Sequence, residues 1–177
     1  AGTDTLTSMG GDDIFILKLD ASGNFVFAKN MGGLTNEYGK SIKVDFLGNI
    51  YTGGYFQGTV DFDPDSIGIY NLTSLGGFDI FISKLDNSGN FLWTREMGGT
   101  GEDACTFLDL DSIGNAYTTG YFQGAVDFDP SVGIINLTSS GFADAFISKL
   151  DTLGNYTWAT KIGGIGTSNN SGYGIVV

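Results

Sequence analysis

Histidine is absent from the 177 residues, and cysteine occurs once, at Cys105. Without histidine the Ser-His-Asp and Cys-His nucleophile systems are excluded, together with the commonest zinc ligands. One thiol cannot close an internal disulfide, so packing alone must hold the fold, and Cys105 reads as a small buried hydrophobe. Basic residues are scarce too: 8 Lys and Arg stand against 20 Asp and Glu, a formal net charge of -12. A polyphosphate would be repelled over most of such a surface, which argues against nucleic acid as a partner. Divalent cations are the ionic partners this balance favours, and calcium is the candidate cofactor. A low share of charged residues with an acidic excess suits a secreted or cell-surface protein. The opening AGTDTLTSMG holds no basic, long apolar segment, so neither a signal peptide nor a membrane span is expected in it.

What is abundant is glycine, with 29 residues scattered through apolar runs, alongside 41% hydrophobic and 14% aromatic residues. Glycine without a G-X-Y period points to many tight turns, and the apolar content is enough for a sizeable core. The expectation is an all-β chain.

Internal repetition sharpens that expectation. DIFILKLD at Asp13 returns as DIFISKLD at Asp79 and DAFISKLD at Asp144, offsets of 66 and 65 residues. GNFVFAKNMGG at Gly23, GNFLWTREMGG at Gly89 and GNYTWATKIGG at Gly154 keep the same register. So do the strings ending VDFDP at Pro64 and Pro130, each followed by NLTS. The chain therefore divides into an N-terminal segment (1–8), repeat 1 (9–75), repeat 2 (76–140) and an incomplete repeat 3 (141–177). The third copy breaks off at GYGIVV, in a stretch aligned with a predicted strand of repeat 1, so the chain reads as part of a longer polypeptide.

Period-two alternation gives the strands: Ile14, Ile16 and Lys18 on one face, Phe15, Leu17 and Leu19 on the other. Asp-x-x-Gly-Asn occurs five times, from Asp20, Asp45, Asp86, Asp111 and Asp151, and reads as hairpin turns in which Gly-Asn supplies positive φ. Two such hairpins and a longer interval per unit predict four-stranded antiparallel blades with an extension, hence a β-propeller, either partial or part of a larger ring. Phe27, Trp93 and Trp158, and the tyrosine pairs Tyr51/Tyr117 and Tyr55/Tyr121, fall at equivalent positions and are expected to pack between blades.

Together, GNFLWTREMGG, VDFDP, NLTS and DIFISKLD resemble the SBBP family of β-propeller repeats, in particular tandem copies in large secreted and surface proteins of Bacteroidota. The likeness runs from Met9 onward. It implies a propeller of about seven blades, export by type IX secretion, and no active site. With fewer than three units in the chain, the remaining blades would come from the rest of a polypeptide or from other subunits.

Few residues point to chemistry. Asp61, Asp63 and Asp65, matched by Asp127 and Asp129, could converge on a hard cation because alternate strand residues share a face. Ser66 and Leu72 depart from the EF-hand pattern, and a solvated acidic turn stiffened by proline is the competing reading. Glu102 and Asp103, set opposite Glu37 and Tyr38 of repeat 1, are the carboxylate pair a glycoside hydrolase would need, although adjacent side chains of an extended chain diverge. Asp followed by Ser or Thr and an aliphatic residue occurs at Thr5, Ser66, Ser112 and Thr152. This is similar to the O-glycosylation motif of exported Bacteroidota proteins. The N-linked sequons at Asn71, Asn136 and Asn155 are short and copied by the repeat. The reading that follows is a non-enzymatic extracellular module for adhesion or assembly, contacting neighbouring repeats or subunits and a surface glycan or protein. A calcium-stabilised glycan-binding module is the alternative, and a glycoside-active enzyme a more distant one.

Overall fold

The computed structural model describes residues 5–65 and 67–177, with Ser168 described by its backbone. Among these residues there are strands and no helix. In chain order they are β1 (Ile14–Leu19), β2 (Phe25–Gly33), β3 (Glu37–Val44), β4 (Ile50–Phe56), β5 (Thr59–Asp61), β6 (Asn71–Thr73), β7 (Asp79–Leu85) and β8 (Phe91–Gly99). There follow β9 (Ala104–Leu110), β10 (Ala116–Phe122), β11 (Ala125–Asp127), β12 (Asn136–Thr138), β13 (Gly141–Leu150), β14 (Tyr156–Ile162) and β15 (Gly166–Asn169).

They form three sheets, ordered β1-β2-β5-β6, then β3-β4-β7-β8-β11-β12, then β9-β10-β13-β14 with β15 against β13. Every pairing is antiparallel except β13 with β15. The middle sheet therefore contains a four-stranded meander, β3-β4-β7-β8, drawn half from repeat 1 and half from repeat 2. The third sheet contains the next, β9-β10-β13-β14. The unit in space is thus offset from the unit in sequence.

The short hairpin between the second and third strands of each meander leaves its own sheet. β5 pairs with the end of β2 through Gly32↔Asp61 and Gly33↔Val60, and β11 pairs with the end of β8 through Gly99↔Val126 and Gly98↔Asp127. Each unit thereby hydrogen-bonds its backbone to the sheet before it, and the three sheets are locked in series.

Turn chemistry explains the hairpin geometry. At Asp86 the carbonyl accepts Gly89 N–H at 3.0 Å, Oδ1 accepts the N–H groups of Ser88 and Asn90, and Oδ2 accepts the Asn90 side-chain amide at 2.8 Å. The same set closes the other four Asp-x-x-Gly-Asn turns. At Asp20 the bonds from Asn24 hold the carboxyl below its ordinary range. Positive φ belongs to the glycine alone, at Gly23, Gly48, Gly89, Gly114 and Gly154, and not to the asparagine, which serves as a donor instead.

Two apolar cores lie between the sheets. The first joins Ile14, Ile16 and Met31 to Phe56, Phe62, Phe81 and Leu85; the second joins Ile80, Ile82, Trp93 and Met97 to Phe122, Phe128, Phe146 and Leu150. β7 is consequently buried along its whole length, whereas β1 alternates. Cys105 lies wholly inside, and burial pushes its thiol up to about 12. One expectation fails: residues 170–177 form no strand. Gly172 N–H bonds the Gly120 carbonyl and Val177 N–H bonds the Asp109 carboxylate, but the segment finds no ladder partner that would make it a strand.

Gly23 and Gly89 have nearly the same φ, +80 and +84°, but a Cβ at Gly23 meets nothing within 4 Å while one at Gly89 lies 3.0 Å from the Phe27 ring of the preceding sheet. Gly23→Ala is expected to lower stability by about 1 kcal/mol, the strain of a left-handed residue, and Gly89→Ala by more. Urea denaturation of the two variants checks this; equal losses would show that the turn does not bear on its neighbour.

Candidate functional site

In the acidic strings one carboxylate oxygen of each aspartate is engaged locally. Asp61 Oδ1 accepts the N–H groups of Asp63 and Tyr70, and Asp63 Oδ1 accepts that of Asp65. Asp65 pairs with Lys29 at 2.8 Å. In the second copy Asp127 Oδ1 accepts Asp129 and Ile135 N–H, and Asp129 Oδ1 accepts Ser131 N–H and its hydroxyl. Among the described residues no three acidic or cysteine side chains gather as a metal-binding group. Each string is a turn that fixes the outer hairpin.

Of the hydroxyls in Asp-Ser/Thr motifs, Ser66 lies outside the described residues, as does Asp4 beside Thr5. Thr5 and Ser112 are exposed, and Ser112 sits at the tip of the β9–β10 turn. Thr152 is half-buried because its turn is wedged against the middle sheet: its carbonyl accepts Lys84 Nζ at 3.1 Å and Trp93 Nε1 at 3.3 Å. Asn71, Asn136 and Asn155 are exposed, the last with its amide engaged by Asp151.

The hydrogen bonds revise one sequence equivalence. Glu37 N–H bonds the Asp12 carbonyl and Asp103 N–H bonds the Phe78 carbonyl, so Asp103 matches Glu37, and Glu102 matches Asn36. Asp103 is fully buried, its two oxygens accepting Gly99 N–H and Gln123 N–H. It does not stand beside Glu102 facing a substrate. Burial pushes the Asp103 carboxyl up to about 7. Burial, reinforced by Asp79, pushes Glu96 up to about 8, and burial also raises Asp79, against the hydrogen bonds from Leu75 and Glu96.

The most organised surface is one that reading strings had missed. Along the edge of the middle sheet, Tyr51 OH donates to the Gly114 carbonyl, and Lys84, Trp93 and Arg95 donate to the carbonyls of Thr152, Leu153 and Gly154. One sheet thus grips the hairpin turns of the next. Lys18 does the same to Asn87 at 2.6 Å from the first sheet. The repeat places Tyr117, Lys149 and Trp158 at the matching positions of the third sheet. Lys149 lies over the Tyr117 ring at 4.8 Å, as Lys84 lies over Tyr51 at 4.7 Å. Trp93 is 8% exposed and Trp158 38%; Met97 is 1% exposed and its match Ile162 60%. At the opposite end Phe15 is 69% exposed, whereas Phe81 and Phe146 are 0%. The regular spacing of lysine, tyrosine and tryptophan across repeats was the signal that could have found this edge.

No family model matches the chain. It is similar to a WD repeat-containing protein of Acanthamoeba polyphaga mimivirus, 27% identical over 190 residues, covering 97% of this chain and 13% of that protein. It is also similar to the regulatory protein FlaEY of Caulobacter vibrioides, 32% identical over 146 residues, covering 82% of this chain and 15% of that protein. The chain thus spans about one seventh of the length of these relatives. The likeness to a WD repeat-containing protein agrees with a repetitive β architecture, and no helix of the described residues is long and apolar enough to cross a membrane.

Asp103 and Glu96 bind protons more tightly folded than unfolded, where ordinary carboxyls titrate near 4. Their contribution to stability is complete below that value and is lost as pH rises through about 7 to 8. In buffer without divalent ions the melting temperature is expected to fall between pH 5 and pH 9, with the upper part of the fall flattened in Glu96→Gln. A melt independent of pH over this window would show that these acids are not held as described.

Proposed function

We propose that the chain is a run of β-propeller blades within a larger extracellular protein, acting without catalysis as a structural and binding module in adhesion or assembly. The observation that carries this reading is the gripping edge: each sheet ends in donors that fit the turns of a next unit, and the third sheet presents Tyr117, Lys149 and Trp158 for one more. Four-stranded antiparallel meanders stacked face to face are the construction of propeller blades, and WD repeats build such blades. Neighbouring repeats, in the same polypeptide or in other subunits, are the partners that cover the two end faces. The residue strings shared with SBBP repeats support export to the cell surface. The exposed Ser112, in Asp-Ser-Ile at a hairpin tip, is the favoured O-glycosylation site, with Thr5 next and Thr152 shielded by its neighbour.

Phe15→Ala is expected to change stability by less than about 0.5 kcal/mol in this chain, where the ring faces solvent. In a chain extended at its N-terminus by one further 66-residue unit, the same change is expected to lower stability by about 3 kcal/mol, as for a buried aromatic. Urea denaturation reads both, and an equal effect in the two chains would sink the stacking model. In the protein isolated from its native source, tryptic mass spectrometry is expected to find hexose-sized increments on the peptide holding Ser112. An unmodified peptide would remove the glycosylation reading.

A further inference from the structure

At one position the three units carry side chains of different charge on a common backbone frame, with Met9, Leu75 and Ser140 also differing beside it. An aspartate recurs at Asp13, just before β1, at Asp79, the first residue of β7, and at Asp144, within β13, and the residue at the matching position of the following strand is Asn30, Glu96 and Lys161 in turn. In the third unit Lys161 Nζ is held by the Thr138 carbonyl at 2.5 Å, Ser140 Oγ at 2.5 Å and Asp144 Oδ2 at 3.3 Å. In the first, the Asn30 amide donates to Thr7, whose carbonyl matches that of Thr138, at 3.3 Å. In the second unit the donor is replaced by a carboxylate.

Asp79 is completely buried, and Oδ2 accepts Leu75 N–H at 2.8 Å while Oδ1 has no partner. Glu96, within hydrogen-bonding reach of Asp79, has an unpartnered buried Oε1, and buried Thr94 has an unpartnered Oγ1. The register of β7 and β8 puts all three on one sheet face, the face turned toward Met31 and Phe81 of the first core. Neither Asp79 nor Glu96 is in an ion pair among the described residues. The adjacent Arg95 directs its guanidinium to the carbonyls of Thr94, Leu153 and Gly154. The other acids on this side, Glu102 and Asp103 in the loop before β9, add negative charge rather than relieve it.

One shared proton would still leave the pair with one uncompensated negative charge, which is strongly unfavourable in a buried setting. Its counterpart in the third unit is matched by the Lys161 ammonium. We infer that Asp79 and Glu96 bind a hard metal cation of the calcium class, in the place that the Lys161 ammonium takes one unit later. Two carboxylates and the Thr73 carbonyl, which corresponds to that of Thr138, form an all-oxygen donor set of the type calcium takes, with water completing it; Thr94, opposite Ser83 and four residues along the ladder from Asp79, lies too far along the strand to join it. Glu96 also lines a groove of about 250 Å³ beside Tyr70, Asp127 and Asp129, which gives a hydrated ion access from solvent. With two protein carboxylates the affinity belongs with that of extracellular modules, in the range of about 0.1 to 1 mM. This site takes no ligand from the VDFDP strings, although Asp127 and Asp129 border the same groove, and it does not depend on the propeller reading.

The test is thermal melting of the full chain at pH 7.5 with calcium chloride titrated to 10 mM, together with calorimetric titration of the folded protein. Calcium at ten times its dissociation constant is expected to raise the midpoint by about 3 to 6 °C, with one equivalent bound. Glu96→Gln is expected to abolish both signals. Glu96→Lys, which sets an ammonium beside Asp79 and the Thr73 carbonyl as in the third unit, with Leu75 in place of Ser140, is expected to abolish the response and raise the calcium-free midpoint. Asp63→Asn and Asp129→Asn are expected to keep the response. An unchanged wild-type melt with no heat of binding would overturn the site and leave a shared proton as the occupant. A calcium response that survives Glu96→Gln but vanishes in Asp63→Asn or Asp129→Asn would overturn it equally, placing the ion in the turns.

Discussion

Each sheet of this protein is apolar on both faces, and no sheet can cover either face from within its own unit. That constraint governs the remainder of the structure. Phe81 finds its neighbours in Phe56 and Phe62, at ring-centroid distances of 6.5 and 5.0 Å, on the side facing the first sheet. Ile80 and Ile82, pointing the other way, need the third sheet. Burial at about 25 cal/mol per Å² of apolar surface is the dominant favourable term in such stacking. The polar contacts set its alignment: the outer hairpins add strands to the sheet before, and Lys84, Trp93 and Arg95 clasp turns of the sheet after.

Against this regular frame, residues that change between units carry more information than those that persist. The aspartates at 13, 79 and 144 have a common role, each accepting the N–H four residues before it, from Met9, Leu75 and Ser140, and each requires a glycine beside it, at Gly32, Gly98 and Gly163, where a Cβ would overlap the carboxyl. Opposite them an amide, a carboxylate and an ammonium alternate in one structural role. Swapping donor for acceptor in the middle unit inverts the local electrostatics without disturbing the backbone. Repetition of this kind lets one unit change a side chain while its neighbours maintain the stack.

Much of the fold was legible in the chain. The five Asp-x-x-Gly-Asn turns are local chemistry, in which aspartate bonds N–H groups two and four residues on, so adjacent sequence suffices to predict them. The alternation of Ile14 and Ile16 with Phe15 and Leu17 was equally visible. The candidate cation strings were read by the alternation of strand side chains, but Asp61 and Asp127 turn to cap backbone N–H groups up to nine residues away. The match of Asp103 to Glu37 required the hydrogen bonds of their loops, because one residue of slippage between repeats is invisible in strings this degenerate.

The amino-acid sequence by itself determined most of the strands, their turns and the number of times the pattern recurs, since these follow from periodicity and side-chain to backbone bonds over a few residues; the stretch at 170–177 lacked the partner that periodicity cannot supply. Tertiary structure decided which strands share a sheet, sending β5 and β11 back to the preceding unit. It also decided which face of each strand is covered and that Asp79 and Glu96 meet without a basic partner. Those outcomes depend on atoms about 20 to 70 positions apart, and on burial that raises the energy of an unmatched charge far above its value in water.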